Sequence, residues 1–279
     1  MNIPRFIPTL GRLCCAFAAV LALTSCDKID ESERLIYVKP ADVSRKVLIE
    51  DFTGQRCIHC PRGTLVIEQL MEQYGDNIVA VGIHSGPLGF KGSATVLGLA
   101  TDLGDTYYNY WQVQSQPSGV VNRTGGATEY TNWTSRVTEA LGQTASLDIT
   151  LDATLNAQTG DVDIAVETKG TNGPTEGNIQ LWVLEDSITA MQLRFIETDN
   201  PQSGNLTDRE YVHNHVLRAA VNGDWGEPFT LEEGEHKSLK YTMTPQSEWN
   251  VSNLSIVAFV YNSQGVAQVE KTHVIIPTD

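Results

Sequence analysis

Cys57 and Cys60, separated by Ile58 and His59, are the residues of this chain best placed to do chemistry. The sequence holds five cysteines. Cys14 and Cys15 lie in an N-terminal apolar segment that reads as a cleaved signal, and Cys26 stands where a lipoprotein signal ends. The C-x-x-C pair is then left as the free thiols of the processed chain. A first cysteine at a helix start faces unpaired backbone N–H groups and the positive end of the macrodipole, which favour a thiolate. Thiol pKa values at such sites fall to roughly 3.5–7.5. The second cysteine, three residues on, can reach back and resolve a mixed disulfide. His59 when protonated, and Arg56, add charge in the same direction and tilt the pair toward an oxidising potential. A purely structural disulfide is the rival reading, but so short a loop constrains the unfolded chain little. A zinc site needs a second ligand pair, and there is no second C-x-x-C. No metal or organic cofactor is implied.

The elements that must hold this pair follow from the apolar pattern. Residues 46–52 form a short apolar run with branched side chains, as a buried strand does. Over 61–74, Val66, Ile67, Leu70, Met71 and Tyr74 recur at helical spacing, with Gly75 as C-cap. A second buried strand is expected over 77–83, a helical region over 96–111, a third strand over 119–122 and a last helix over 130–141. Strands separated by helices indicate a sheet with helices packed on it.

After Ala145 the pattern changes. Leu147, Ile149 and Leu151 alternate with polar residues, as do Val162, Ile164 and Val166, and then Ile179, Leu181 and Val183. Residues 254–261 are almost continuously apolar, and a turn at 262–265 leads to a final strand. Short period-two strands with polar turns argue for a β-sandwich. Residues 186–227 are less regular and are expected to be an insertion. The fold class expected is therefore an α/β domain over 44–143 followed by an all-β, immunoglobulin-like sandwich over 144–279.

The first segment sets the compartment. Arg5 and Arg12 precede an apolar run over 13–23, too short for the roughly 20 residues a bilayer span needs, so residues 1–25 read as a signal peptide. Leu23-Thr24-Ser25-Cys26 resembles a bacterial lipobox, which makes Cys26 the lipidation site. Residues 26–43 are an acidic tether. Removing 25 of 279 residues leaves 254 and takes two arginines and no acid, so the net charge goes from −15 to −17. A field of that sign excludes nucleic acid or anionic lipid as partners of the general surface. The membrane is met through the anchor.

Asp51-Phe52, six residues before Cys57, and Gln116-Pro117-Ser118, entering the third strand, resemble the acid–Phe pair and the cis-proline of thioredoxins. That resemblance implies a thioredoxin-like domain in which Asp51 exchanges a proton with the resolving Cys60 and Pro117 lies opposite the disulfide in a cis peptide. The chain departs from thioredoxins in having no tryptophan before Cys57, Gln116 before the proline and Ser118 after it. More broadly, Glu50-Asp51-Phe52-Thr53-Gly54, Cys60-Pro61, Ile83-His84, Val121-Asn122-Arg123 and 211–218 resemble the Omp-twenty-eight-related outer-membrane proteins of Bacteroidetes. This resemblance implies a lipid-anchored protein of the cell envelope, at the outer membrane, with a thioredoxin-like domain before a β-rich one.

The expected function is thiol–disulfide exchange, with exported protein thiols or disulfides as substrates and a redox protein as partner. Catalysis would fall to Cys57, Cys60, Asp51, Pro117 and His59. The alternative is a non-enzymatic surface lipoprotein that binds a ligand through its β-domain. His84 is expected at the carboxyl end of the second strand, where a histidine more often bonds the loop backbone than lines a cleft. His213 and His215 would face one side of an extended segment, in an interdomain or surface polar role. Tyr107, Tyr108, Tyr110 and Trp111 are read as packing residues.

Overall fold

The computed structural model describes residues 45–195 and 204–277. The signal peptide, Cys26 and the acidic tether lie outside the described residues. Strand β1 (Val47–Thr53) and strand β2 (Ile78–His84) are buried along their whole lengths and pair in parallel. Their apolar runs have no polar alternation because both faces are covered. On one face Val47, Ile49, Ile78 and Ala80 meet helices α1 (Cys60–Tyr74) and α3 (Trp133–Leu141). On the other face Leu48, Phe52, Val79, Val81 and Ile83 meet Tyr107 of helix α2 (Asp102–Tyr110) and side chains from the C-terminal strands.

Strand β3 (Ser118–Val121) runs antiparallel to β1 and carries the short β4 (Thr128–Glu129) on its outer edge. The remaining strands are β5 (Leu147–Leu155), β6 (Val162–Gly170), β7 (Thr175–Glu185), β8 (Ile188–Phe195), β9 (Asn205–His213) and β10 (Val216–Ala220). They are followed by β11 (Glu227–Leu231), β12 (His236–Met243), β13 (Leu254–Asn262) and β14 (Gly265–His273). The molecule is β-rich, with several sheets and few helices among the described residues. The main sheet has nine strands in the order β14-β13-β7-β10-β2-β1-β3-β4, with β11 also on β7. The boundary expected at 143–144 falls between α3 and β5, and this sheet draws strands from both sides of it, through the parallel contact of Val216 with Gly82. A three-stranded sheet, β12-β6-β5, faces β7 and β13 across an apolar core that includes Leu147, Val166, Leu181 and Ile256.

Three local expectations are corrected. The helix expected over 96–111 begins only at Asp102, where Thr101 Oγ1 accepts from Gly104 N at 2.9 Å. The loop before it folds back on itself: a Cβ on Gly98 would lie 1.9 Å from the Gly92 nitrogen, so only glycine fits. The helix expected from 130 opens as a 3₁₀ turn (Tyr130–Asn132) before α3. In place of the irregular insertion expected over 186–227, the described residues hold β8, β9 and β10. The strands β8 and β9 pair only with each other, and most of β9 is exposed, so it shows no alternation of apolar and polar residues.

Candidate functional site

Strand parity decides which way each acid of β1 points, since successive side chains alternate faces. Asp51 falls on the α1 side with Val47 and Ile49. Glu50 falls on the opposite face, where its carboxylate takes two bonds from Arg123, at 3.2 and 3.3 Å. The Arg123 guanidinium is itself enclosed by aromatic rings, 4.2 Å from Tyr261 and 4.8 Å from Phe259. Glu50 is thus committed to a buried ion pair and Asp51 is left for the site.

Cys57 and Cys60 form a disulfide, with S–S 2.06 Å and Cα–Cα 5.4 Å. Cys60 is the first residue of α1 and Pro61 follows in its first turn. Cys57 lies before the helix, in a tight turn in which its N–H donates to Gly54 O at 3.0 Å. The C-x-x-C therefore enters the helix with its second cysteine, not its first. The Gln116–Pro117 peptide is cis, and Pro117 packs on the first turn of α1, where a Cβ on Gly63 would come 3.2 Å from its own Cβ. Gln116 Nε2 donates to Thr53 O (2.7 Å) and Ser85 O (3.0 Å), tying the ends of β1 and β2 together. Of the five expected catalytic residues, the structure brings Asp51, Cys57, Cys60 and Pro117 to one end of β1 and α1. His59 is exposed and turns outward against the Phe195 ring, 5.6 Å away. Arg56 is also exposed, its guanidinium over Phe90 at 4.6 Å.

Asp51 is buried, and its Oδ1 has no hydrogen-bond partner. Burial alone pushes its pKa up to about 8, because the charged form loses its hydration without a compensating cation. Gly82, directly across the parallel register from Asp51, puts no side chain beside the carboxyl. A cavity of about 30 Å³ results, lined by Asp51, Cys60, His84, Gln192, His213 and His215 among others. All three histidines are buried, so of the interdomain or surface role expected of His213 and His215 the surface one is not found. The Nδ1 of His84 is free of the loop backbone and without a partner. Desolvation lowers all three histidine pKa values, to about 4 for His213 and His215. Among the described residues no three His, Cys, Asp or Glu side chains are arranged to hold a metal ion.

What sequence reading missed is the ribbon β8–β9, which lies across the disulfide loop. Leu193 N donates to Gln55 O (2.8 Å) and Phe195 N to Ile58 O (3.1 Å). Gln192 Nε2 donates to Cys57 O (2.9 Å) and Gly54 O (3.2 Å). From the other side, Gln55 Nε2 donates to Met191 O at 3.1 Å. Under this cover each cysteine is only 1% exposed. No local signal marks the contact, because Gln192 is 135 residues from Cys57.

A family model described as outer membrane protein Omp28 matches residues 104–276, more than half of the chain. The chain belongs to the Omp28 family. It is an outer-membrane protein of the cell envelope. The matched segment includes Pro117, Gln192 and His213 but begins after the C-x-x-C. No curated protein matches the chain. Among solved structures, HBP35 of Porphyromonas gingivalis is similar at 14% identity over 86% of this chain and 81% of that one, with a TM-score of 0.60, a likeness of fold alone. A domain of the outer membrane lipoprotein Omp28 from Porphyromonas gingivalis is 28% identical over 49% of this chain and 93% of its own, with a TM-score of 0.34. Among the described residues no helix is long and apolar enough to cross a membrane.

Proposed function

We propose that this Omp28-family protein is held in the membrane by a lipid on Cys26 and exchanges thiols and disulfides with exported proteins at Cys57 and Cys60. The framework of the site is read as thioredoxin-like, and the strands beyond 143 as a sandwich built onto it. Cys57 attacks or receives the substrate sulfur, Cys60 resolves, and Asp51 takes and returns the Cys60 proton. A redox protein of the envelope resets the pair.

The observation that carries this reading is the buried Asp51, with no cation beside it, sharing a cavity with Cys60. A purely structural staple has no use for such an acid, because an uncompensated buried carboxyl destabilises the fold at neutral pH. A carboxyl held near pH 8 is instead matched to a thiol, ordinarily about 8.5, so protons pass between them with little driving force either way. The test is oxidation or reduction of a model protein substrate by wild type and by Cys57→Ser. Wild type turns over and the variant does not; equal rates refute the reading.

One observation favours the second reading, a non-enzymatic lipoprotein that binds its ligand through the β-strands. The ribbon seals both sulfurs, as it would in a scaffold. Alkylation of the reduced protein across pH separates the two. A Cys57 midpoint near the free-thiol value of about 8.5 favours the scaffold, and a clearly lower one favours exchange.

A further inference from the structure

The ribbon β8–β9 carries one residue into the cavity that a mere cover would not need. His213, the last residue of β9, is buried there with Nε2 unpartnered, beside the unpartnered Oδ1 of Asp51 and Nδ1 of His84. The backbone carbonyls of Met191 and Ala190 bond the His213 ring. A carbonyl accepts only from N–H, so this fixes the tautomer and leaves Nε2 as a lone-pair acceptor facing the cavity. The His84 ring sits edge-on to it at 5.1 Å between centroids and holds it in place. A cavity of about 30 Å³ has room for a water, and the three unpartnered polar atoms on residues that line it match the two to four partners a buried water requires.

We propose that His213 is the proton acceptor for Asp51, linked to it across this cavity, and that the ribbon thereby completes the exchange site. The proposal rests on the exchange reading above. Take the mixed disulfide, with Cys57 Sγ bonded to a substrate sulfur. Cys60 Sγ–H gives its proton to the Asp51 carboxylate and its electron pair attacks Cys57 Sγ. The Cys57–Cys60 bond forms, the Cys57–substrate bond breaks, and the substrate leaves as a thiolate that takes a proton from solvent. Cys60 is oxidised and the substrate sulfur reduced. Asp51 now holds a proton in a sealed site, and the proton leaves through His213 Nε2 in an uphill, short-lived transfer, because burial holds the ring's pKa at about 4 and the acid's at about 8. The ring is neutral again once the proton is released past the ribbon. The opposite reaction runs the same path backward. The other ionisable groups lining the space are His84, His215 and Tyr211, with Asp208, Asp186, Arg218 and Lys271 acting from farther away.

Two variants test this. His213→Asn keeps an amide N–H for the ribbon carbonyls and removes the acceptor at Nε2. His213→Gln places an amide oxygen near Nε2, able to accept a hydrogen bond but not to carry a proton. The Asp51 carboxyl is titrated by carbon NMR in the oxidised protein, a reading independent of activity. Release of a labelled peptide from a preformed mixed disulfide is followed in a single turnover across pH. The Asp51 midpoint should fall by about one unit in His213→Asn, since the neutral acid loses its acceptor, and should be restored in His213→Gln. Peptide release should slow at least about tenfold in both, within the range of general acid–base contributions. An unchanged Asp51 midpoint in His213→Asn overturns the proposal, as does a shifted midpoint with wild-type release at every pH. If the midpoint shifts but wild type itself releases no peptide, the exchange reading fails and the relay with it, while the Asp51–His213 contact stands.

Discussion

Replacing Gln192 by alanine is the sharpest probe of how the disulfide is covered. Its amide N–H₂ donates to Cys57 O and Gly54 O, and these two bonds hold the ribbon to the loop along with two backbone bonds from Leu193 and Phe195. A buried hydrogen bond contributes about 1 kcal/mol net, so losing two weakens the cover by about 2 kcal/mol. If the ribbon opens locally, its opening constant then rises about 30-fold at about 1.4 kcal/mol per decade. A small phosphine reaches a 1%-exposed disulfide only through that opening, so its rate of reduction should rise in proportion. The rate is read by thiol release, with hydrogen exchange at the Leu193 and Phe195 amides as the companion measurement. Both should accelerate together while exchange in the apolar core between the sheets, for example at Leu181, accelerates far less. Reduction at the wild-type rate in a folded Gln192→Ala protein would refute the ribbon as the barrier.

Three further outcomes are expected. Asp51 holds its proton up to about pH 8 in the folded protein and loses it near 3.8 unfolded, so between these values the native state binds the extra proton and stability falls as pH rises. Asp51→Asn lacks this titration, and its denaturant midpoint should gain on wild type steadily from pH 4 to 8; a constant difference contradicts the burial of the carboxyl. Arg123→Met leaves Glu50 buried and unpaired and should cost about 3–5 kcal/mol, more at higher pH because burial already raises the Glu50 pKa. A joint Glu50→Gln, Arg123→Met variant should recover much of that loss in thermal unfolding. Finally, Cys26→Ala should move the protein from the membrane to the soluble fraction, and unchanged fractionation contradicts the anchor.

Much of the site was legible because it is local. Residues 46–52 and 77–83 read as buried strands since both faces of β1 and β2 are covered, and C-x-x-C at the helix start is a short-range signal. What sequence could not show depends on distance. Glu50 looks like any acid in a strand until Arg123, 73 residues on, reaches it inside rings supplied by β7 and β13. Gln116 reads as a departure from the thioredoxin pattern, whereas it straps Thr53 to Ser85. The ribbon was illegible for a different reason. Its second strand has no buried sheet face, so no periodicity marks it, yet it supplies His213. The joining of β10 to β2 rests on the Gly82–Val216 pairing across 134 residues, which no local pattern encodes.

The measurement closest to the central claim is the reduction potential of the Cys57–Cys60 disulfide, by equilibration with a thiol buffer. An exchange site should lie between about −270 and −120 mV, the span of thiol–disulfide oxidoreductases. A value below about −300 mV is that of a structural staple and would contradict the account.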